Sequence, residues 1–442
     1  MPVSFLQIII SLLAGIFIIV LLTARFRIHA FFALLLACFV VGIGVQMNFA
    51  DIITTSKQGF GHIMQTLGLI IVLGTTLGVI LEHTGATQVM ASFILKRTGQ
   101  RNAPAAMSIT GFIAGLPIFC DSGYIVLSGL NQSLAKKTGG PVAVMAGSLA
   151  TGLYSVHCLI PPHPGASAAA STIGVEFGKL IIYGILVAIP ASIAGYYWVK
   201  YAGRKYKNEV VNEEATNDKT FSPMPVSSAF LPVIVPILLI AIKSFLTIEK
   251  SGNSVIVNIF SVLGDPVIAL AVGVLLSFTG IRSWNKHEFG KLLTDAVEKS
   301  GGILVIIGAG GAFGAILAAT NIGQHFGDAL PLEKLGIFFP FLLTFILKTA
   351  QGSSTVAIIT AASVVAPLLP ALGLQDNEGK LLAVLSMGAG SMMISHANDA
   401  YFWVIAKFSG LEMKTMLHVY SIATLCMGLV ALGMVYVVSL FI

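Results

Sequence analysis

The chain reads as a succession of apolar runs, many near the ~20 residues a helix needs to cross a bilayer, separated by short polar loops. Uninterrupted runs predict spans at about 4–23, 28–46, 62–82 and 178–200 in the first half, and at about 229–247, 258–279, 301–320 and 416–441 in the second. Four further apolar segments are broken near their middles. Segments 104–135 and 335–370, interrupted at Pro117–Gly123 and Lys348–Thr355, predict re-entrant hairpins of two half-length helices. Segments 141–174 and 380–410, interrupted at His157–Gly165 and Ser395–Asp399, predict discontinuous helices. Broken backbone at membrane depth is tolerated only where protein or a wet cavity shields it, so these four interruptions are the candidates for function.

The same features recur at a nearly constant offset. Gly74–Gly78 matches Gly308–Ala312 at 308 − 74 = 234, Thr87 matches Thr320 at 320 − 87 = 233, Leu116 matches Lys348 at 348 − 116 = 232, and His163 matches His396 at 396 − 163 = 233. The pattern predicts an all-α polytopic membrane protein of two repeats. Each has about five transmembrane helices, one of them discontinuous, plus a re-entrant helical hairpin. Residues 1–200 form the first repeat, 201–227 a cytoplasmic linker, and 228–442 the second repeat. An odd number of crossings per repeat gives the two halves inverted topology.

Composition agrees: 56% hydrophobic and 10% charged residues, with a mean hydropathy of +0.91, lie far from the roughly 25% charged share of a soluble domain. The net charge of +6 does not point to nucleic acid, because the 25 Lys and Arg are scattered through short loops rather than gathered on one face. With the N-terminus outside, most of them, including Arg25, Arg27, Lys96, Lys136 and Lys200, fall on the cytoplasmic side. Both termini are then expected on the periplasmic side. The run Phe5–Leu22 has no preceding Lys or Arg and no small-residue cleavage site, and reads as a retained first span. Cys38, Cys120, Cys158 and Cys426 show no CxxC spacing and read as apolar packing residues.

Polar chemistry gathers at the interruptions. Asp121, beside Ser122, is the only carboxylate of the first hairpin; an ionised Asp at that depth costs about 2.5–3.5 kcal/mol unless partnered. It either caps the tip through N–H bonds or carries a proton and orients substrate hydroxyls. The second tip, Lys348–Thr355, offers one fixed charge, the Gln351 amide and the hydroxyls of Ser353, Ser354 and Thr355, a set suited to an anion. Lys348 alternatively snorkels to an interface or pairs with Asp121 or Asp399. His157 and His163 are expected to face Ser395, His396, Asn398 and Asp399, and a neutral imidazole passes a proton near neutral pH. HxxxxxH is not a helical zinc spacing, and neither a GxSxG elbow nor a GxxxxGK loop occurs, so no metal, cofactor or enzyme centre is expected. Tyr401, Phe402 and Trp403 wall a cavity or meet lipid, and Glu82 marks the boundary of a span.

Taken together, Gly115–Asp121, Pro161–Gly165, Lys348–Thr355 and Ser395–Asp399 resemble the gluconate permease family of bacterial proton symporters, over essentially the whole chain. The resemblance implies the fold of the wider ion-transporter superfamily, with inverted repeats, paired hairpins and a homodimer moving by an elevator-like shift. It implies proton-coupled uptake of gluconate or a related sugar acid across the bacterial inner membrane; some members carry D-serine or other small hydroxy- or amino-carboxylates. The expected partners are that carboxylate, protons and membrane lipid, with the proton gradient in place of any cofactor. Substrate-binding candidates are Asp121, Ser122, His163, Lys348, Gln351, Ser353, Ser354, Thr355 and Asn398; proton-coupling candidates are Asp121, His157, His396 and Asp399. A sodium-coupled carboxylate carrier, an ion channel and a membrane-embedded enzyme are the rival readings.

Overall fold

The computed structural model describes residues 4–99, 102–206, 224–248, 255–280, 286–320 and 332–442, and among these every regular element is helical. The first half contains α1 (Phe5–Val20), α2 (Ala30–Gly44), α3 (Phe49–His83), α4 (Ala86–Thr98), α5 (Ala103–Gly115), α6 (Cys120–Thr138), α7 (Val142–Leu159), α8 (Pro164–Ile173) and α9 (Phe177–Gly203). The second contains α10 (Val226–Ile248), α11 (Val255–Leu263), α12 (Pro266–Ser277), α13 (Lys286–Ala319), α14 (Phe338–Gln351), α15 (Ser354–Val365), α16 (Asn377–Met392), α17 (Ala400–Ser409) and α18 (Met413–Val438). Seven helical segments among the described residues are long and apolar enough to cross a membrane.

All four interruptions fall where the sequence puts them; three are tighter than expected, and the one at Ser395–Asp399 begins two residues earlier. The helices stop for only residues 116–119, 160–163, 352–353 and 393–399. Pro161 and Pro162 cannot continue α7, whereas Pro164 opens α8 at the position where a missing N–H costs nothing. Asp121 therefore sits in the first turn of α6, His157 in the last turn of α7 and Lys348 in the last turn of α14.

Three boundaries depart from the apolar-run reading. The spans expected at 62–82 and 301–320 are the apolar parts of α3 and α13, which are 35 and 34 residues long. Their leading turns carry Lys57, Lys291 and Lys299, charges the sequence reading assigned to loops. These turns stay helical because the two helices pack along each other, with Gly59 and Gly311 close enough that a Cβ on either would strike the other's carbonyl. The span expected at 258–279 is two helices, parted at Gly264 and Asp265, where the Asp265 carboxylate accepts the Val267 N–H at 2.9 Å and caps α12. Helix α4 lies outside every expected span because its mixed polarity gives no long apolar run. Residues 207–223, most of the linker, and Arg101, Lys250 and Arg282 lie outside the described residues.

One packing scheme occurs twice. The first hairpin arm lies on the broken helix of its own half, α5 on α7 and α14 on α16, and each of those lies on the next long helix, α9 or α18. The second arms cross over, α6 against α17 and α15 against α8. A Cβ on Gly152 would come within 2.2 Å of the Ser108 carbonyl, and one on Gly390 within 2.3 Å of the Phe341 carbonyl. Those two carbonyls are 341 − 108 = 233 residues apart, the spacing read from the sequence. In the composite segment Val142–Ile173 every residue but Pro162, Ser171 and Thr172 is buried, while α1 and α10 expose Leu6, Phe17, Leu231 and Leu238 at the surface.

Candidate functional site

The second hairpin turns at Gly352, whose φ of +85° closes α14 in the left-handed conformation. A side chain is excluded there twice over, since a Cβ would lie 2.1 Å from the Asn398 carbonyl oxygen. Helix α15 restarts from Ser353, whose Oγ accepts the Val356 N–H at 3.3 Å. Lys348, fully buried, donates from Nζ to Asp399 Oδ2 at 2.7 Å and to the Gly352 carbonyl. Asp399 is the N-cap of α17: Oδ1 accepts the Tyr401 N–H at 3.0 Å, and Oδ2 also accepts the Ser395 hydroxyl at 2.5 Å. Lys348 thus donates two hydrogen bonds and Asp399 accepts three, the kind of support under which a buried pair is tolerated away from water. Of the alternatives for Lys348, the geometry is that of pairing with Asp399.

Each broken helix reaches back to its hairpin with a histidine. His163 Nε2 lies 2.7 Å from the Gly115 carbonyl, and His396 Nε2 lies 3.1 Å from the Thr349 carbonyl. Asn398 reinforces the second clip, donating to Thr349 O at 2.7 Å and Ala350 O at 3.3 Å. These bonds satisfy carbonyls that the ends of α5 and α14 leave without helical partners. From the far side α18 braces the α16–α17 break: the Ser395 N–H donates to Thr424 Oγ1 at 3.0 Å, and the Ser421 hydroxyl donates to the Ser395 carbonyl. Ser421 belongs to a turn of π-helix at Leu417–Ser421, an irregularity common near functional sites.

His157 lies with Nδ1 3.3 Å from His163 Nδ1 and Nε2 3.5 Å from Thr355 Oγ1. The described hydrogen bonds of His157 and His163 thus go to the two hairpins and to each other, not to Ser395–Asp399 as the sequence reading expected. The N-termini of α8 and α15 abut, for a Cβ on Gly165 would stand 3.3 Å from Thr355 Cα. Asp121 is half-buried; Cys120 Sγ lies 4.0 Å from its Oδ1, and none of the described ion pairs includes it. Ser122 follows it, half-buried, and Ser354 is buried at the opposite tip. Gln351 is buried with neither end of its amide hydrogen-bonded within the protein, and the Thr349 hydroxyl beside it is also unpartnered.

Beneath these groups lie four buried tyrosines that sequence reasoning largely passed over. Tyr401 packs against Tyr154 at 5.7 Å between ring centroids, Tyr420 at 6.0 Å and Tyr124 at 6.1 Å. The Tyr154 hydroxyl donates to the Ser391 carbonyl and that of Tyr401 to the Ala150 carbonyl. Only Tyr401 carried a signal, by following Asp399; Tyr124 and Tyr154 sit in stretches whose polarity looked unremarkable before the helices met. The result is a polar layer on an aromatic floor, walled by four helix N-termini, of which α6 and α8 lack a side-chain cap.

Residues 6–441 match the family described as GntP family permease. The chain belongs to that family. Among its GntP relatives, an uncharacterised permease of Haemophilus influenzae is 33% identical, covering 94% of this chain and 89% of its own length. The D-serine transporter DsdX of Escherichia coli is 30% identical with 98% of each chain covered, and a gluconate permease of Pseudomonas aeruginosa is 29% identical with 96% and 95% covered. The fold is similar to that of the Alcanivorax borkumensis YdaH transporter, with a TM-score of 0.65 at 16% identity over 96% of this chain and 98% of the other. Neisseria gonorrhoeae MtrF gives 0.64 at 15% identity over 87% and 83%. The GntP chain is therefore a membrane permease and not an enzyme.

Proposed function

We propose that this permease imports gluconate or a closely related sugar acid by proton symport across the bacterial inner membrane. The observation that carries the reading is the pair of unpartnered polar groups at the second tip, the Gln351 amide and the Thr349 hydroxyl. A buried amide with both ends free costs about 1–3 kcal/mol for each unmet group, and a polyhydroxylated chain both donates to it and accepts from it. The substrate carboxylate lies at the N-terminus of α15, where Ser353, Ser354 and Thr355 supply hydroxyls and first-turn N–H groups. Lys348 acts from within its ion pair, Asn398 and His163 border the substrate, and Asp121 with Ser122 reads its hydroxyls from the opposite hairpin.

In this reading the proton is carried among Asp121, His157, His396 and Asp399, and no cofactor takes part beyond the proton gradient. The two halves, 1–200 and 228–442, are inverted about the site with both termini outside, and two copies form a homodimer in the lipid. A second reading has its own support. Asp121 lacks a cationic partner among the described ion pairs, so it would suit the ammonium of D-serine, the compound named for one relative.

Uptake of labelled gluconate into proteoliposomes decides between them. The expected result is gluconate accumulation that persists when choline replaces sodium, collapses with a protonophore, and is competed by idonate and glycerate more strongly than by D-serine. Competition by D-serine alone reverses the choice of substrate, and accumulation that ignores the protonophore removes the proton.

A further inference from the structure

A single chain of hydrogen bonds runs from one hairpin to the other through two histidines, and its far end fixes its polarity. The Gly115 carbonyl can only accept, so His163 Nε2, 2.7 Å away, bears the hydrogen. Neutral His163 then presents a bare Nδ1, and the hydrogen between the two Nδ1 atoms belongs to His157. Neutral His157 is left with a bare Nε2, so the hydroxyl of Thr355 donates to it. In this state the hydroxyl hydrogen of Thr355, in the first turn of α15, is committed to His157 and is closed to an anion at the tip.

A proton added at His157 Nε2 reverses that last link and leaves the others intact. The new Nε2–H donates to Thr355 Oγ1, His157 Nδ1–H still donates to His163, and His163 still donates to Gly115. The Thr355 hydroxyl hydrogen is released toward the tip. One proton enters and no covalent bond of the chain or the substrate breaks. We infer that Thr355 couples the two loads of this permease: its hydroxyl serves the substrate carboxylate only while His157 carries the proton. This rests on the proton-symport reading and names the atoms that execute it.

The surroundings favour loading the two charges together. On α7, Tyr154 stacks on His157 at 6.4 Å between ring centroids, with Cys158 adjacent in sequence; Phe119 lies 6.2 Å from His163. From α14, Lys348 lies within electrostatic reach of His157, with Asp399 on its ammonium. Asp121 and Cys120 stand in the first turn of α6. No described carboxylate hydrogen-bonds either histidine, so a buried imidazolium has no resident counter-ion in contact with it. An arriving carboxylate supplies one.

The test is gluconate binding to the full-length permease in nanodiscs, measured by calorimetry from pH 5.5 to 8 in buffers of different ionisation enthalpy, with D-serine as the second probe. Wild type is expected to take up about one proton per anion bound, its affinity rising by up to about ten-fold for each unit fall in pH. Thr355→Val keeps the side-chain shape and loses the hydroxyl; at low pH its affinity should fall about ten-fold, its pH slope should flatten, and Thr355→Ser should restore both. If Thr355→Val does not fold, His157→Gln, which keeps a donor and an acceptor but does not titrate, should show the same flat slope. A wild-type slope in Thr355→Val or His157→Gln overturns the role given to Thr355. An anion that binds wild type with no proton uptake overturns the symport reading itself, before any variant is made.

Discussion

Lys348 and Asp399 stand 51 residues apart in the chain and 2.7 Å apart in space, joining the last turn of α14 to the cap of α17. The contact ties the second hairpin to the broken helix of its own half at the point where both are interrupted. Neither charge is free: the carboxylate also takes the Ser395 hydroxyl and the Tyr401 N–H.

Removing one partner of such a pair leaves the other buried and unpaired. Lys348→Met should therefore destabilise the protein by about 3–5 kcal/mol. The double variant Lys348→Met with Asp399→Asn, which retains a capping side chain, should be distinctly more stable than that single variant. Thermal unfolding in detergent reads both, and equal melting temperatures for the single and double variants would show that the stranded carboxylate is not the cause.

Gln351 should separate stability from transport. An amide unpartnered at both ends gains nothing from its polarity in the empty protein, so Gln351→Leu should leave stability unchanged or raise it by about 1 kcal/mol while uptake is lost. A melting temperature that falls alongside uptake would mean that the amide has a structural partner instead.

At Gly352 two costs add. Gly352→Ala meets both the left-handed backbone, about 1–2 kcal/mol, and the Asn398 carbonyl, whereas Gly139→Ala, at φ +62° with open space around it, meets only the first. The expected order of destabilisation in chemical unfolding is Gly352→Ala well above Gly139→Ala, with uptake reduced only in the former.

What the sequence disclosed follows from what costs free energy in lipid. Proline, glycine and charge inside an apolar run have few excuses, so the breaks at His157–Gly165 and Ser395–Asp399 and the interruptions near Pro117 and Gly352 were legible, as was the spacing that pairs His163 with His396. The leading turns of α3 and α13 were not, because their helicity comes from lying against each other and their polarity resembles that of a loop. Which groups meet was also hidden: the two histidines of the first break turn to Thr355 and Gly115, partners chosen by how the hairpins lean. The tyrosine floor stayed invisible because its members come from α6, α7, α17 and the π-turn of α18.

The near-complete enclosure of Val142–Ile173 places two different demands on one stretch of chain. Once folded it meets almost only protein, and its neighbours would accept a polar side chain wherever a partner could be arranged. During insertion it has no neighbours and must partition on its own composition, where one Asp, Lys or Arg near the centre costs about 2.5–3.5 kcal/mol. It has the lowest mean hydropathy of the seven candidate spans. Two titratable rings that are neutral when unprotonated, rather than permanent charges, are therefore the polar equipment such a segment can carry through the translocon and still use afterwards.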